Sequence, residues 1–196
     1  LAKGPRYRVP YRRRREKKTD YAARRVLATA DRPRVVVRVS GKNILVQVVR
    51  SAIEGDYVVA QTSSKELKKS YGWVASGKNV PAAYLLGLLA GKKAKAAGVE
   101  HAILDMGLKR ATAGNKVFAV VKGALDAGLD VPCDSDIIPP PERINGSVIA
   151  EYAEQMEDPL EYETRFSVYL RRGLRPEAIQ GHFEEVKARI EENKNE

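Results

Sequence analysis

The sequence predicts an α/β fold of the α+β type, a βββαβα core whose sheet is mostly antiparallel. Three β-branched runs follow one another with only short turns between them, the pattern of an antiparallel meander. Two helix-length amphipathic segments then enclose one further short apolar run. A Lys/Arg-rich stretch precedes these elements and a proline tract follows them. The expected organisation is therefore a basic arm (1–30), an α/β core domain (31–138) and an acidic helical extension (139–196).

In the arm, residues 1–10 carry Pro5 and Pro10 with little apolar content, too little to offset the entropy of ordering. Residues 11–30 contain neither Gly nor Pro, and Tyr21, Arg24, Arg25 and Ala28 recur at helical spacing. That stretch is expected to be helical at least when its partner is bound. The first strand is Arg34–Val39, entered through Pro33, and Ser40-Gly41-Lys42-Asn43 is the turn after it. Ile44–Val49 is the second strand. Glu54-Gly55-Asp56 turns the chain into a third, Tyr57–Ala60.

Asn79 and Pro81 open a helix whose apolar stripe is Ala82, Leu85, Leu86 and Leu89. Lys92, Lys93 and Lys95 crowd its end, where the helix dipole favours cations, and Gly98 stops it. His101–Met106 is too short for a helix and reads as a fourth strand, parallel to its neighbour because a crossover reaches it. Asn115–Ala127 is the second helix, with Val117, Phe118, Val121, Ala124 and Leu125 on its buried face and Gly128 after it. Beyond Pro139-Pro140-Pro141 lie three more helical patterns. One is marked by Val148, Tyr152 and Met156 and closed by Pro159, the next by Tyr162, Phe166, Tyr169 and Leu170. The last opens at Pro176 and carries Ile179, Phe183, Val186 and Ile190. Each apolar face must dock on something.

The net charge of +10 is unevenly placed. Residues 1–50 hold 16 Lys and Arg against 3 Asp and Glu, whereas residues 126–196 hold 8 against 17. A basic block of that strength seeks a polyanion, which the acidic end cannot share. No apolar stretch reaches the roughly 18–20 residues of a membrane span, and no apolar run follows the first charges as a secretory signal requires. One cysteine, Cys133, excludes an internal disulfide framework and fits a reducing cytosol.

The strongest local feature is Arg12-Arg13-Arg14-Arg15-Glu16-Lys17-Lys18-Thr19-Asp20-Tyr21. Guanidinium forks suit phosphate, and each neutralised phosphate releases counterions. Arg6, Arg8, Arg24 and Arg25 extend the block, and Tyr7, Tyr11 and Tyr21 are placed to stack on unpaired bases. Arg34, Arg38 and Lys42 carry positive charge onto the sheet. The segment Gly107–Lys116 joins strand to helix, with Lys109, Arg110, Thr112, Asn115 and Lys116 near a helix N-terminus that favours anions. It lacks the spacing of a nucleotide-binding P-loop. No catalytic constellation, metal site or cofactor site is expected. His101 and His182 are far apart, Cys133 has no histidine beside it, and Asp105 reads as an interior polar group. Trp73 is expected to pack rather than to stack on a base.

These stretches resemble the archaeal and eukaryotic branch of the large-subunit ribosomal protein family numbered eighteen. The matching residues are Arg6-Tyr7 through Arg12–Tyr21, Ile53-Glu54-Gly55-Asp56 and Tyr84–Leu89. They continue with Gly114–Phe118, Lys122–Leu129, Ala150-Glu151-Tyr152 and Phe166–Tyr169, so that nearly the whole chain is covered. A long insertion of the eukaryotic relatives before Gly107 is missing, which points to the archaeal form. The resemblance implies a structural protein of the cytoplasmic ribosome. It would bind 5S rRNA in the central protuberance, touch 23S rRNA and sit near the other 5S-binding protein, as neither enzyme nor homo-oligomer. Two other classes compete from the residues alone. An RNA-processing enzyme would need Asp105, Asp126 and Asp130 to converge, and a DNA-binding architectural protein would bind duplex DNA as well as RNA.

Overall fold

The computed structural model describes residues 4–192, so the first three residues of the irregular segment expected at 1–10 lie outside it. The sheet is α+β in character, with four strands in the order β3-β2-β1-β4. β1 (Arg34–Val39) pairs antiparallel with β2 (Ile44–Ser51), and β2 pairs antiparallel with β3 (Asp56–Ser63). β4 (Ile103–Asp105) returns after the crossover to lie parallel to β1, with Arg34 opposite Ile103 and Val36 opposite Asp105. The meander and the parallel fourth strand are thus both present. β3 runs three residues beyond its expected end, because Gln61, Thr62 and Ser63 continue the ladder to Leu45. A bulge between Val48 and Val49 lets Val59 go unpaired.

Alternation gives the sheet two unlike faces. Val35, Val37, Ile44, Val46 and Val48 point into the core and are buried. On the opposite face stand Arg34, Val36 and Arg38 of β1 with their cross-strand partners Val49, Gln47 and Leu45.

Among the described residues nine α-helices surround the sheet. The arm holds two: α1 (Arg12–Arg15) is one turn and α2 (Tyr21–Thr29) follows it. The expected single helical stretch is broken between them. Lys17 takes a left-handed φ of +49°, and Asp20 restarts the chain by accepting from the backbone N–H groups of Ala22 and Ala23. α3 (Ser64–Ser70) springs directly from β3 with Ser63 as its cap, with no turn residue to announce it, and sequence reasoning gave no element there.

α4 (Val80–Ala96) begins at the Asn79 cap and buries Pro81 through Gly91 without a break. It lies across β2 and β3 and is itself covered by α5 (Lys116–Asp126) and α9 (Ile179–Glu192). The α4–α5 approach is close because two glycines face it. A Cβ on Gly87 would stand 2.0 Å from the Val120 carbonyl oxygen, and one on Gly123 2.1 Å from that of Tyr84.

Beyond the proline tract the chain returns to this core. Pro141 opens a short α6 (Pro141–Asn145), ended by Gly146 in the left-handed region, and α7 (Ser147–Glu154) follows. α7 buries Ala150 and Ala153, whereas Val148 and Tyr152, expected on its apolar face, are exposed. Pro159 is the first residue of α8 (Pro159–Leu170), a start where a stop was expected, because proline at the first turn sacrifices no hydrogen bond. A single 3-10 turn at Pro176–Ala178 leads into α9, whose Ile179, Phe183, Val186 and Ile190 are all buried, the face its spacing predicts. Lys92 of α4 donates to the Ile190 and Glu191 carbonyls at 2.6 and 2.8 Å and so caps α9.

Candidate nucleic-acid interface

From Arg6 to Lys18 every arm side chain is exposed. Its own contacts pre-position several of them. Arg13 donates twice to the Thr19 hydroxyl, at 3.1 and 3.0 Å. Arg12 and Lys18 both reach Glu16, at 3.4 and 2.7 Å. The Arg14 guanidinium lies 5.1 Å from the centre of the Tyr21 ring, a cation–π contact. Tyr21 is half-buried under it, so of the three tyrosines Tyr11, at 89 % exposure, and Tyr7 present the freer rings. Arg6, Arg8, Arg15, Lys17 and Arg25 make no ion pair among the described residues.

The arm is fastened to the sheet through Arg24, which donates to Asp56 at 2.9 Å. Asp56 also receives Arg34 at 2.9 Å. Burial alone would raise the Asp56 pKa; the hydrogen bonds from Arg24 and Arg34 outweigh it and hold the carboxyl below its ordinary value.

Arg34 is a correction. It was expected to face RNA, yet it is fully buried, gripped by Asp105 at 2.9 Å, by Asp56 and by the Ser51 hydroxyl at 3.0 Å. A cation so enclosed is spent on the fold and has no path to a phosphate. Its strand neighbour Arg38 is half-exposed, donating to the Asp105 carboxylate at 2.8 Å and to the Asp105 carbonyl at 2.9 Å. Asp105 is thus an interior polar group, as expected, and it also accepts from the Gly107 N–H at 2.9 Å.

Between arm and sheet edge lies a cleft of about 620 Å³. Its wall includes the cations Arg13, Lys18, Arg24, Arg38 and Lys109, with the carboxylates Asp20 and Asp105 among them and Val39, Leu104 and Met106 as apolar lining. Positive groups beside apolar lining suit a phosphate-linked strand with its bases turned inward. Lys42 is exposed in the β1–β2 turn, away from this wall.

In the Gly107–Lys116 segment Lys109, Arg110 and Thr112 are exposed, while Asn115 and Lys116 are half-buried. Asn115 holds the loop together: its amide donates to the Arg110 carbonyl and the Thr112 hydroxyl, and its oxygen caps α5 at Val117. Lys116 stands among further cations, Lys78, Lys109 and Arg143. Sequence reasoning passed over Lys78 and Arg143. Each is a single basic residue in an unremarkable stretch, and only tertiary packing brings it to the loop.

The three carboxylates that might have formed a catalytic centre are held apart by separate partners. Asp105 belongs to the arginine pair, Asp126 to Lys122 and the Tyr84 hydroxyl, and Asp130 to His101. Trp73 is buried, donates to the Ser76 carbonyl at 3.0 Å and stacks on His182 at 5.0 Å.

An α+β core with an exposed cationic arm and a basic cleft where the two meet defines a polyanion-binding protein. Comparison with known proteins narrows the class. The family model described as ribosomal large subunit proteins 60S L5 and 50S L18 matches residues 5–100 and 92–134. The large ribosomal subunit protein uL18 of Caldivirga maquilingensis is 51 % identical over 194 residues, covering 98 % of this chain and 94 % of that one. That of Ignicoccus hospitalis is 51 % identical over 195 residues, covering 98 % and 95 %. That of Thermofilum pendens is 48 % identical over 194 residues, covering 98 % of each. The chain belongs to the uL18 family of large-subunit ribosomal proteins, in its archaeal form, and the family is one of structural proteins rather than enzymes.

Proposed function

We propose that this protein binds 5S rRNA and attaches it to 23S rRNA in the central protuberance of the large ribosomal subunit, in the cytoplasm, beside the other 5S-binding protein. The observation that carries the reading is an arm whose arginines are exposed yet pre-oriented, on a chain that matches uL18 proteins over nearly its whole length. Arg6, Arg8, Arg12 to Arg15, Lys17, Lys18, Arg24 and Arg25 supply phosphate contacts. Tyr7 and Tyr11 supply stacking surfaces for unpaired bases. Arg38 and Lys109 continue the contact into the cleft, and the exposed Lys42, Arg110 and Thr112 supply further contacts outside it.

Footprinting of 5S rRNA with this protein, together with a salt-titrated gel shift against tRNA as competitor, tests the reading. Protection of a defined 5S segment and preference for 5S rRNA over tRNA support it. Equal affinity for the two RNAs with no defined footprint refutes specific recognition.

A further inference from the structure

Four cations from three separate stretches of chain meet beside the first turn of α5, and the fold uses none of their charges. Lys116 opens the helix and Lys109 lies in the loop leading to it. Lys78 comes from the segment before α4, and Arg143 from α6. The charges that bear on the Lys116 ammonium are Lys78, Lys109 and Arg143, all of its own sign; burial, and then these neighbours, lower its pKa. The Arg143 guanidinium lies against Gly114, two residues before Lys116: a Cβ at Gly114 would stand 2.5 Å from Nη1 of Arg143. None of the four makes an ion pair among the described residues.

Like charges gathered without a counter-charge cost the isolated protein free energy, and a bound anion recovers it. The N-terminal end of α5, an eleven-residue helix, adds its dipole in the same sense. Lys109 also lines the cleft beneath the arm, so the two basic surfaces are contiguous through that residue.

We propose that Lys78, Lys109, Lys116 and Arg143 form a second RNA-backbone site, built on the folded core without any arm residue. It rests on the reading that this chain binds RNA. Its ligand is the phosphodiester chain: four cationic donors recognise phosphate oxygens, and no aromatic ring belongs to the cluster to stack a base. The site is therefore indifferent to sequence. It steadies the strand that leaves the arm cleft at Lys109.

The test compares the full chain carrying K78Q, K109Q, K116Q and R143Q with a charge-matched control carrying K65Q, K69Q, K95Q and R171Q, whose side chains are exposed elsewhere. Affinity for 5S rRNA and for tRNA is measured by fluorescence anisotropy across a salt series, and each protein is melted alone. The site variant should bind both RNAs about tenfold or more weaker at low salt, with a log–log salt slope shallower by about 2 to 3. Its melting temperature should not fall, because repulsion is relieved. The control should change the slope by less than about 1. Wild-type affinity and slope in the site variant, or an effect no larger than the control's, overturns the proposal. If the quadruple variant melts non-cooperatively, K116Q and R143Q are measured singly, each expected to flatten the slope by about 0.7; no flattening in either overturns it. Failure to prefer 5S rRNA over tRNA would sink the specific-partner reading alone, since the site effect is read on both RNAs.

Discussion

Replacing Asp105 with asparagine should destabilise this protein more than any substitution in the arm. Asp105 is 5 % exposed and faces Arg34, which is 0 % exposed. Its Oδ2 receives Arg34 and its Oδ1 receives both Arg38 and the Gly107 N–H. Asparagine keeps one acceptor oxygen for Gly107 but turns an amide donor toward a guanidinium that can only donate. Arg34 is then left with Asp56 and Ser51, and its Nε already has no partner.

Removing one member of a buried ion pair costs about 3–5 kcal/mol, and both groups here are too enclosed for solvent to screen the loss. For a chain of this length that corresponds to a fall in Tm of roughly 6–20 °C. Thermal unfolding followed by far-UV circular dichroism, checked by urea titration, reads it. The double variant R34M/D105N should be less destabilised than the sum of its two single changes, by about 1.5 kcal/mol or more, because it leaves no stranded cation. A D105N protein melting within about 2 °C of the wild type would refute the assignment of Arg34 to the fold.

Three further outcomes follow from other contacts. G87A should force α4 and α5 apart at the Val120 carbonyl and cost about 1–3 kcal/mol, read as a lower urea midpoint; an unchanged midpoint would contradict the close approach. Burial lowers the His182 pKa, opposed by Glu185 and aided by Arg189, and the neutral ring accepts the Val74 N–H at 3.0 Å through Nε2. The unfolded chain therefore takes up this proton first, so stability should decline as pH falls below about 6.5 toward the lower folded value. H182Q should flatten that decline, monitored by the emission of the single tryptophan, Trp73, stacked on the imidazole. D20A removes the cap of α2 and should cost about 1 kcal/mol of local helix stability, visible as faster amide exchange in Tyr21–Thr29 with the core unaffected.

The elements legible in the sequence were those whose signal is local. β1, β2, α4, α5 and the buried stripe of α9 each carry their own periodicity, caps and stops. α3 was invisible because Ser63 serves as both the last residue of β3 and the helix cap, so no turn separates the two. The arm looked like one helix because its composition permits one; the break depends on Asp20 competing for the backbone, a local bond that propensity does not count.

The candidate interface divided in the same way. A run such as Arg12–Arg15 advertises its charge in the sequence, and its exposure follows. Arg34 and Arg38 look alike in the alternation of β1, and both lie on its outer face. What separates them is Asp105, 71 residues from Arg34 and 67 from Arg38, which encloses the first and leaves the second half-exposed. Lys78 and Arg143 acquire their meaning only beside Lys116. Charge can be counted along a chain, but a counter-charge has to be located in space.

The most direct test of the central claim is the salt dependence of 5S rRNA affinity for the full chain and for a variant with Arg12, Arg13, Arg14 and Arg15 replaced by alanine. About eight arm contacts to phosphate predict a wild-type log–log slope near −6 to −7. The variant should bind more weakly and lose about 3 from that slope while melting as the wild type does, since α1 buries no residue. An unchanged affinity and slope would contradict the account.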